Sequence, residues 1–322
     1  LARIALDAMG GDRAPSETVA GAVEAARDGV DVVLVGDHQA LEVELSKHDT
    51  LLPIVDAADV IGMGDEPGRA LREKPEASIN VVARLVADGS ADGFVSAGST
   101  GAAMAAAAII IGRIKGVARP AIATIFPTPG TPTLVLDSGA NTDVKPEQLA
   151  QFGIMGSVAA EALFGVKDPR VGLLSIGEEK GKGRDLERAA YDLLESGPTN
   201  FVGNLEGRDI ATDRADVIVT DGFTGNVFLK TTEGTAKLVS QYLQEAIANL
   251  PPAIQKQVLP VLAAVGEVLD YETYGGAQLL GVKSVAVIAH GNSSWVAIAN
   301  ALALARDGVD GDLAGRLAEQ LA

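Results

Sequence analysis

Short apolar runs rich in β-branched residues recur along this chain, with longer Ala-rich stretches between them. ARIALDAM, DVVLVG, DGFVSAG, PAIATIF, TLVLDSG, RVGLLSIG, ADVIVTDG and SVAVIAHG are the clearest. A continuous apolar run implies burial on both faces, as in parallel strands covered by helices, and the intervening stretches are long enough to be crossover helices. The pattern therefore predicts an α/β protein with a doubly wound, mostly parallel sheet. Neither a repeat of about 20 to 50 residues nor a low-complexity linker interrupts it, so residues 1–322 are read as one α/β unit. Thirty-seven glycines against 4% aromatic residues predict tight strand-to-helix turns around a core of Ala, Val, Leu and Ile.

One segment breaks the alternation. From Gly225 to Leu269 the pattern is helical and contains no strand. Ile254, Val258, Val261, Leu262, Val265, Val268 and Leu269 fall at helical spacing and form one apolar stripe, which predicts a helical protrusion over 240–270. Two readings stand for the stripe: packing against the core or a second subunit, or contact with a membrane surface through Ile254, Val258, Leu262 and Val265. Lys256 is the only cation between Leu250 and Leu269, so attraction to anionic lipid is expected to be weak.

Composition narrows the function classes. A formal charge of -17 opposes nucleic-acid binding, which needs a basic footprint, and requires that any anionic substrate be met by locally concentrated cations. The chain has no cysteine, which removes disulfides, thiolate metal sites and a cysteine nucleophile; no metal site is expected. No run of about 18 apolar residues and no signal-peptide pattern is found, so a cytoplasmic protein is expected.

Chemistry is expected where the strands end. Four runs finish in related turns: Asp7-Ala8-Met9-Gly10-Gly11-Asp12, Ser96-Ala97-Gly98-Ser99-Thr100-Gly101, Asp137-Ser138-Gly139-Ala140-Asn141, and Asp221-Gly222-Phe223-Thr224-Gly225-Asn226. In open α/β sheets ligands bind outside the carboxyl ends of the strands, where exposed amides and helix N-termini receive anions. Convergence of the four on one crevice is the expectation. The stretch Gly62 to Gly68 has one residue too many for a dinucleotide fingerprint, and Gly177-Glu178-Glu179-Lys180-Gly181-Lys182-Gly183 is not a P-loop, so neither cofactor is expected. The second stretch still combines Glu178 and Glu179 with Lys180, Lys182 and Arg184 after a strand, either as a solvated loop or as a phosphate-directed cation. His290 closes SVAVIA; it is either structural or a hydrogen-bonding group of the same crevice.

Read in order, IALDAMGGDRAP, VSAGSTGA, VLDSGAN, IGEEKGKG, TDGFTGNVFLK, YGGAQLLG and the late AHG resemble the phosphate acyltransferases of the PlsX type over essentially the whole chain. Ser99 stands where that family commonly has asparagine. The resemblance implies an isocitrate/isopropylmalate-dehydrogenase-like fold related to phosphotransacetylases, a homodimer, and peripheral attachment to the inner membrane face. It also implies transfer of a fatty acyl group from acyl carrier protein to inorganic phosphate, giving an acyl phosphate that a membrane glycerol-phosphate acyltransferase consumes in phospholipid synthesis. No resident cofactor is implied, since phosphopantetheine arrives on the carrier protein.

Phosphate is already anionic near neutral pH and attacks a thioester directly, so the site must supply alignment and oxyanion stabilisation. The resemblance assigns Lys182, favoured over Lys180 by the KG alignment, to phosphate and oxyanion charge, and Asn226 to an amide hydrogen bond. The amides around Gly98 to Gly101 and Gly10 to Gly11 are expected to position the anion, with Asp7, Asp137 and Asp221 orienting the loops. One of Glu178 and Glu179 should pair with a neighbouring cation, because two free carboxylates would repel phosphate. Carrier-protein docking is expected at Arg69, Arg72 and Lys74, with Arg113, Lys115 and Arg119 second. Alternative readings are an acyl-CoA:phosphate transferase of phosphotransacetylase type, a metal- and nicotinamide-dependent hydroxyacid dehydrogenase on the same fold, and a noncatalytic membrane scaffold for lipid enzymes.

Overall fold

The computed structural model describes residues 2–128, 130–269 and 271–321, with the side chains of 267–272 outside that description. Val268 and Leu269 of the apolar stripe fall among those side chains. The strands are β1 (Arg3–Asp7), β2 (Asp31–Gly36), β3 (Ile54–Asp56), β4 (Gly93–Ser96), β5 (Ala121–Phe126) and β6 (Thr133–Leu136). They continue with β7 (Arg170–Leu174), β8 (Asn200–Leu205), β9 (Val217–Val219), β10 (Ala277–Leu280) and β11 (Val285–Ile288). All lie in one sheet of order β3-β2-β1-β4-β11-β10-β5-β6-β9-β7-β8.

The sheet is mostly parallel, as the apolar runs require, but not throughout. β3, β2, β1, β4 and β11 run together, and β6, β9, β7 and β8 run together in the opposite sense. Three antiparallel pairings, β11–β10, β10–β5 and β5–β6, reverse the direction between the halves. β5 and β6 form a hairpin across the Pro- and Gly-rich stretch that follows Phe126. Three strands, β3, β8 and β10, lie outside the runs singled out in sequence. β3 is a three-residue edge strand, β8 is an edge strand of mixed polarity (NFVGNL), and β10 (AQLL) has no β-branched residue to mark it.

Alternation along the strands feeds two layers. Ile4 and Leu6 of β1 point into one core with Val19 and Ile298, whereas Ala5 points into the other with Val82 and Phe94. Close helix packing explains some of the glycine. A β-carbon on Gly21 would stand 2.6 Å from Ile298 Cβ, so helix Ser16–Arg27 can lie directly against helix Trp295–Asp310.

The strand-free segment forms a helical hairpin of a long helix, Gly222–Ala248, and a return helix, Pro252–Leu269. Ile247 is the only buried residue described from 226 to 266. The hairpin therefore projects, beginning earlier in sequence than the 240–270 expected. The stripe is divided: Ile254, Val261 and Val265 are exposed, and Val258 and Leu262 are partly buried.

Candidate active site at the strand ends

Three turns of the first half close around one buried acid. Asp7 ends β1 and accepts a 2.7 Å hydrogen bond from Ser96 Oγ, which in turn accepts from Gly98 N at 3.1 Å. A β-carbon on Gly10 would lie 2.5 Å from Asp7 Oδ2 and 2.8 Å from Gly98 N, so only glycine lets the two turns meet. Asp12 N donates to Gly291 O at 2.6 Å, joining the β1 turn to the one after β11. Burial pushes the Asp7 carboxyl above its ordinary value, against the pull of its hydrogen bonds. Its Oδ1 is buried with no hydrogen-bond partner among the described residues. Ser99 caps the helix Thr100–Ala106, its Oγ accepting from Ala102 N at 3.4 Å.

The second half is organised by two further acids. Asp137, just after β6, accepts from the amides of Ile122, Gly139, Ala140 and Asn141 and from Asn141 Nδ2, all at 2.7–3.1 Å. Burial raises its pKa, and these donors offset part of the rise. Asp221 caps the long helix, accepting from Thr224 N at 2.9 Å and Thr224 Oγ1 at 2.8 Å, and it also pairs with Arg184. Burial works against its ionisation, but the Thr224 amide and the Arg184 guanidinium hold Asp221 below the usual carboxylate range.

A single cavity of about 1030 Å³ collects these ends. Gly98 and Thr100 line it from the β4 turn, Ser138 and Gly139 from the β6 turn, Gly222 and Asn226 from the long helix, and His290 and Gly291 from the β11 turn. The expected convergence is thus present, except that Gly10 and Gly11 support the wall from behind. Its far side is apolar, with Phe126, Leu229, Leu243, Leu262 and Val265. Leu262 and Val265, expected at a membrane, face this cavity instead of only solvent. No group of three or more described His, Asp or Glu residues is placed to hold a metal ion.

The GEEKGKG loop is not part of the described wall. Lys180 is taken up by Asp192 at 3.0 Å and Glu195 at 2.5 Å, and lies over the Tyr191 ring. Lys182 is half-exposed and, among the described residues, pairs with Glu179 at 4.0 Å. Glu178 pairs with Arg214 at 2.9 Å, a distant cation rather than a neighbour in the loop. Arg184 ties the end of the loop to the cap of the long helix through Asp221.

Sequence reading missed the cations of the wall itself. Lys230 and Lys237 line the cavity from the long helix, and Glu233 lies between them. Lys230 Nζ is 2.9 Å from Glu233 Oε2, and His290 Nε2 is 3.6 Å from Glu233 Oε1. Their spacing from Asn226 is the signal that was available. Positions 226, 230, 233 and 237 follow the i, i+4, i+7, i+11 rhythm of one helix face.

Of the basic residues expected at a docking surface, Arg69 and Arg72 are exposed on helix Pro67–Glu73. Lys74 instead holds Asp65 at 2.8 Å and Val60 O at 2.9 Å. That helix packs against the start of the helix Thr100–Ala106, since a β-carbon on Gly101 would stand 2.7 Å from Pro67 Cγ.

Comparison with known proteins agrees with this arrangement. The family model described as "Fatty acid synthesis protein" matches residues 2–316. A phosphate acyltransferase of Heliobacterium modesticaldum is 49% identical over 99% of this chain and 97% of its own length. One from Desulforamulus reducens is 46% identical, with the same coverage. Among solved structures, a phosphotransacetylase from Streptococcus pyogenes superposes with a TM-score of 0.65 at 17% identity, covering 96% of this chain and 94% of that one. A 4-hydroxythreonine-4-phosphate dehydrogenase from Klebsiella pneumoniae gives 0.53 at 13% identity, covering 98% and 99%, so both share the fold. Family model, near-full-length relatives and fold agree: the chain belongs to the fatty acid synthesis protein family of PlsX-type phosphate acyltransferases, enzymes that transfer an acyl group to phosphate.

Proposed function

We propose that this enzyme takes a fatty acyl group from acyl carrier protein and passes it to inorganic phosphate. One observation carries the reading: a single cavity runs from glycine-rich turns with Asn226 and His290 to an apolar wall of Phe126, Leu229, Leu243, Leu262 and Val265. Such a cavity suits a ligand that is polar at one end and a hydrocarbon at the other. Phosphate binds at the Gly98–Thr100 turn and the N-terminus of the long helix, where backbone amides and the helix dipole favour an anion. Asn226 hydrogen-bonds the reacting group. Lys182 and Lys230 offset the charge that develops as phosphate oxygen attacks the thioester carbon.

No resident cofactor takes part, and phosphopantetheine is supplied on the carrier. The carrier docks on the exposed Arg69 and Arg72. The acyl phosphate is released to a membrane glycerol-phosphate acyltransferase, which fits a cytoplasmic homodimer resting peripherally on the inner membrane face through its hairpin. Among the described residues no helix is long and apolar enough to cross a membrane. The test mixes purified protein, palmitoyl-acyl carrier protein and phosphate, and seeks palmitoyl phosphate by mass spectrometry, with acetyl-CoA in a parallel arm. Turnover confined to acetyl-CoA would overturn the fatty-acyl reading.

A further inference from the structure

Glu233 does not belong to the strand-end turns that define the site, yet it lies on the cavity wall and approaches His290 to 3.6 Å. It already has a closer partner in Lys230, so a purely structural purpose is served without the histidine. Both His290 and Glu233 are partly open to the cavity, at 43% and 21% side-chain exposure, where a lone ion pair contributes little to folding. Glu233 is seven residues beyond Asn226 on the same helix face, about 10 Å along the axis at about 1.5 Å per residue. That interval is wide enough for phosphate at the Asn226 end and a thioester sulfur at the His290 end.

We infer that Glu233 is a positioning residue that holds His290 as the proton carrier of acyl transfer. The inference rests on the acyl-thioester reading above. Hydrogenphosphate dianion attacks the carbonyl carbon, the new C–O bond forms, and the C–S bond breaks with its electron pair left on sulfur. The proton that phosphate gives up passes to the His290 imidazole and from there to the sulfur. The products are the acyl phosphate dianion and a thiol, with no further reactant. An alkyl thiolate leaves poorly without that proton, because its conjugate acid has a pKa of about 8.5. The Glu233 carboxylate favours the transient imidazolium. Lys230 shares the carboxylate, its Nζ lying 2.9 Å from Glu233 Oε2. Asp12 of the adjacent turn has its Oδ2 3.3 Å from where a β-carbon on Gly291 would stand, and Lys237 lines the same cavity.

The experiment compares two donors carrying the same acyl group, an alkyl thioester of pantetheine and an aryl thioester of thiophenol, whose thiolate leaves without protonation. His290→Ala should lower kcat with the alkyl donor by roughly 100-fold and Glu233→Gln by about 10-fold, and both losses should be several-fold smaller with the aryl donor, which still gives up phosphate's proton but needs none on sulfur. Glu233→Asp, which keeps the charge, should recover most of the loss. In Glu233→Gln the rising limb of the pH profile should move to lower pH, since an imidazolium without its carboxylate gives up its proton more easily; phosphate's own titration is common to both proteins. Equal losses with both donors, or no loss with the alkyl donor, would overturn the proton-carrier role. A parent enzyme that makes acyl phosphate from neither donor would instead overturn the thioester reading, and this inference with it.

Discussion

The carbonyl oxygen of Asp137 lies 2.0 Å from the place a β-carbon on Gly225 would occupy, so the first turn of the long helix is seated directly on the turn that follows β6. Gly225→Ala must push those two elements apart. We expect a loss of about 1–3 kcal/mol in stability, the range for inserting a methyl into a filled space, and a fall of at least about tenfold in kcat/KM as Asn226 is displaced. Gly234→Ala is the control. A β-carbon there meets nothing within 4 Å in the same helix, and stability should rise by about 1 kcal/mol. Urea unfolding and initial rates check both.

Asp7 titrates against its surroundings. Burial raises its pKa above the ordinary 3.8, so the folded chain binds the proton more tightly than the unfolded one. Stability then falls as pH rises from the unfolded value to the raised folded value, and levels off above it. Asp7→Asn removes that ionisation. The stability of the variant relative to the parent should therefore increase with pH through this window and plateau, as read by urea unfolding from about pH 4 to pH 8. A difference independent of pH would show that Asp7 ionises without penalty.

Lys182 and Lys180 should separate cleanly. Lys182→Ala should cut turnover by roughly 100-fold, the scale of losing one preorganised contact to a developing oxyanion. Lys180→Ala should leave turnover unchanged, because that ammonium is committed to Asp192 and Glu195. Equal rates in the two variants would move the anion charge to Lys230.

Carrier docking is tested without disturbing Lys74, whose reversal would break its hold on Asp65 and Val60. Arg69→Glu with Arg72→Glu should slow encounter with acyl carrier protein about tenfold at low salt and much less at high salt. Acyl-pantetheine, which lacks the carrier, should be used as before. An unchanged salt dependence would place docking elsewhere, with Arg113, Lys115 and Arg119 next to be reversed.

On the hairpin, Ile254 and Val261 are the exposed members of the stripe that do not line the cavity. Ile254→Glu with Val261→Glu should abolish flotation with liposomes while leaving turnover on soluble carrier largely intact. High salt should release little protein from the lipid, since apolar burial at about 25 cal/mol per Å² supplies the attraction. Loss of both the dimer and activity would show that these side chains belong to a subunit interface.

The strands that carry the polar turns were legible because burial on both faces leaves an unbroken apolar run, as in β1, β4 and β11. Short edge strands such as β3 leave no such mark, and neither does β10, whose place between β11 and β5 is fixed by partners distant in sequence. The reversal of direction at the centre was hidden for the same reason, since IATIF and TLVL read alike whether paired parallel or antiparallel. Asn226 and His290 could be found from their turns. Lys230, Glu233 and Lys237 sit in the middle of a long helix, where a charged residue ordinarily faces solvent; only the packing of the hairpin against the strand ends turns that face inward.

The order of the strands also sets a schedule for synthesis. β6, β7, β8 and β9 lie between residues 133 and 219, so that half of the sheet can pair as soon as it leaves the ribosome. β4 ends at Ser96, but its free side is covered only by β11, where Ser96 is matched to Ile288. Until nearly 200 further residues have been made, the nascent chain carries an open apolar edge, the kind of surface that recruits chaperones or another chain. His290 lies two residues beyond β11, so the stretch that closes this edge also delivers that side chain to the cavity.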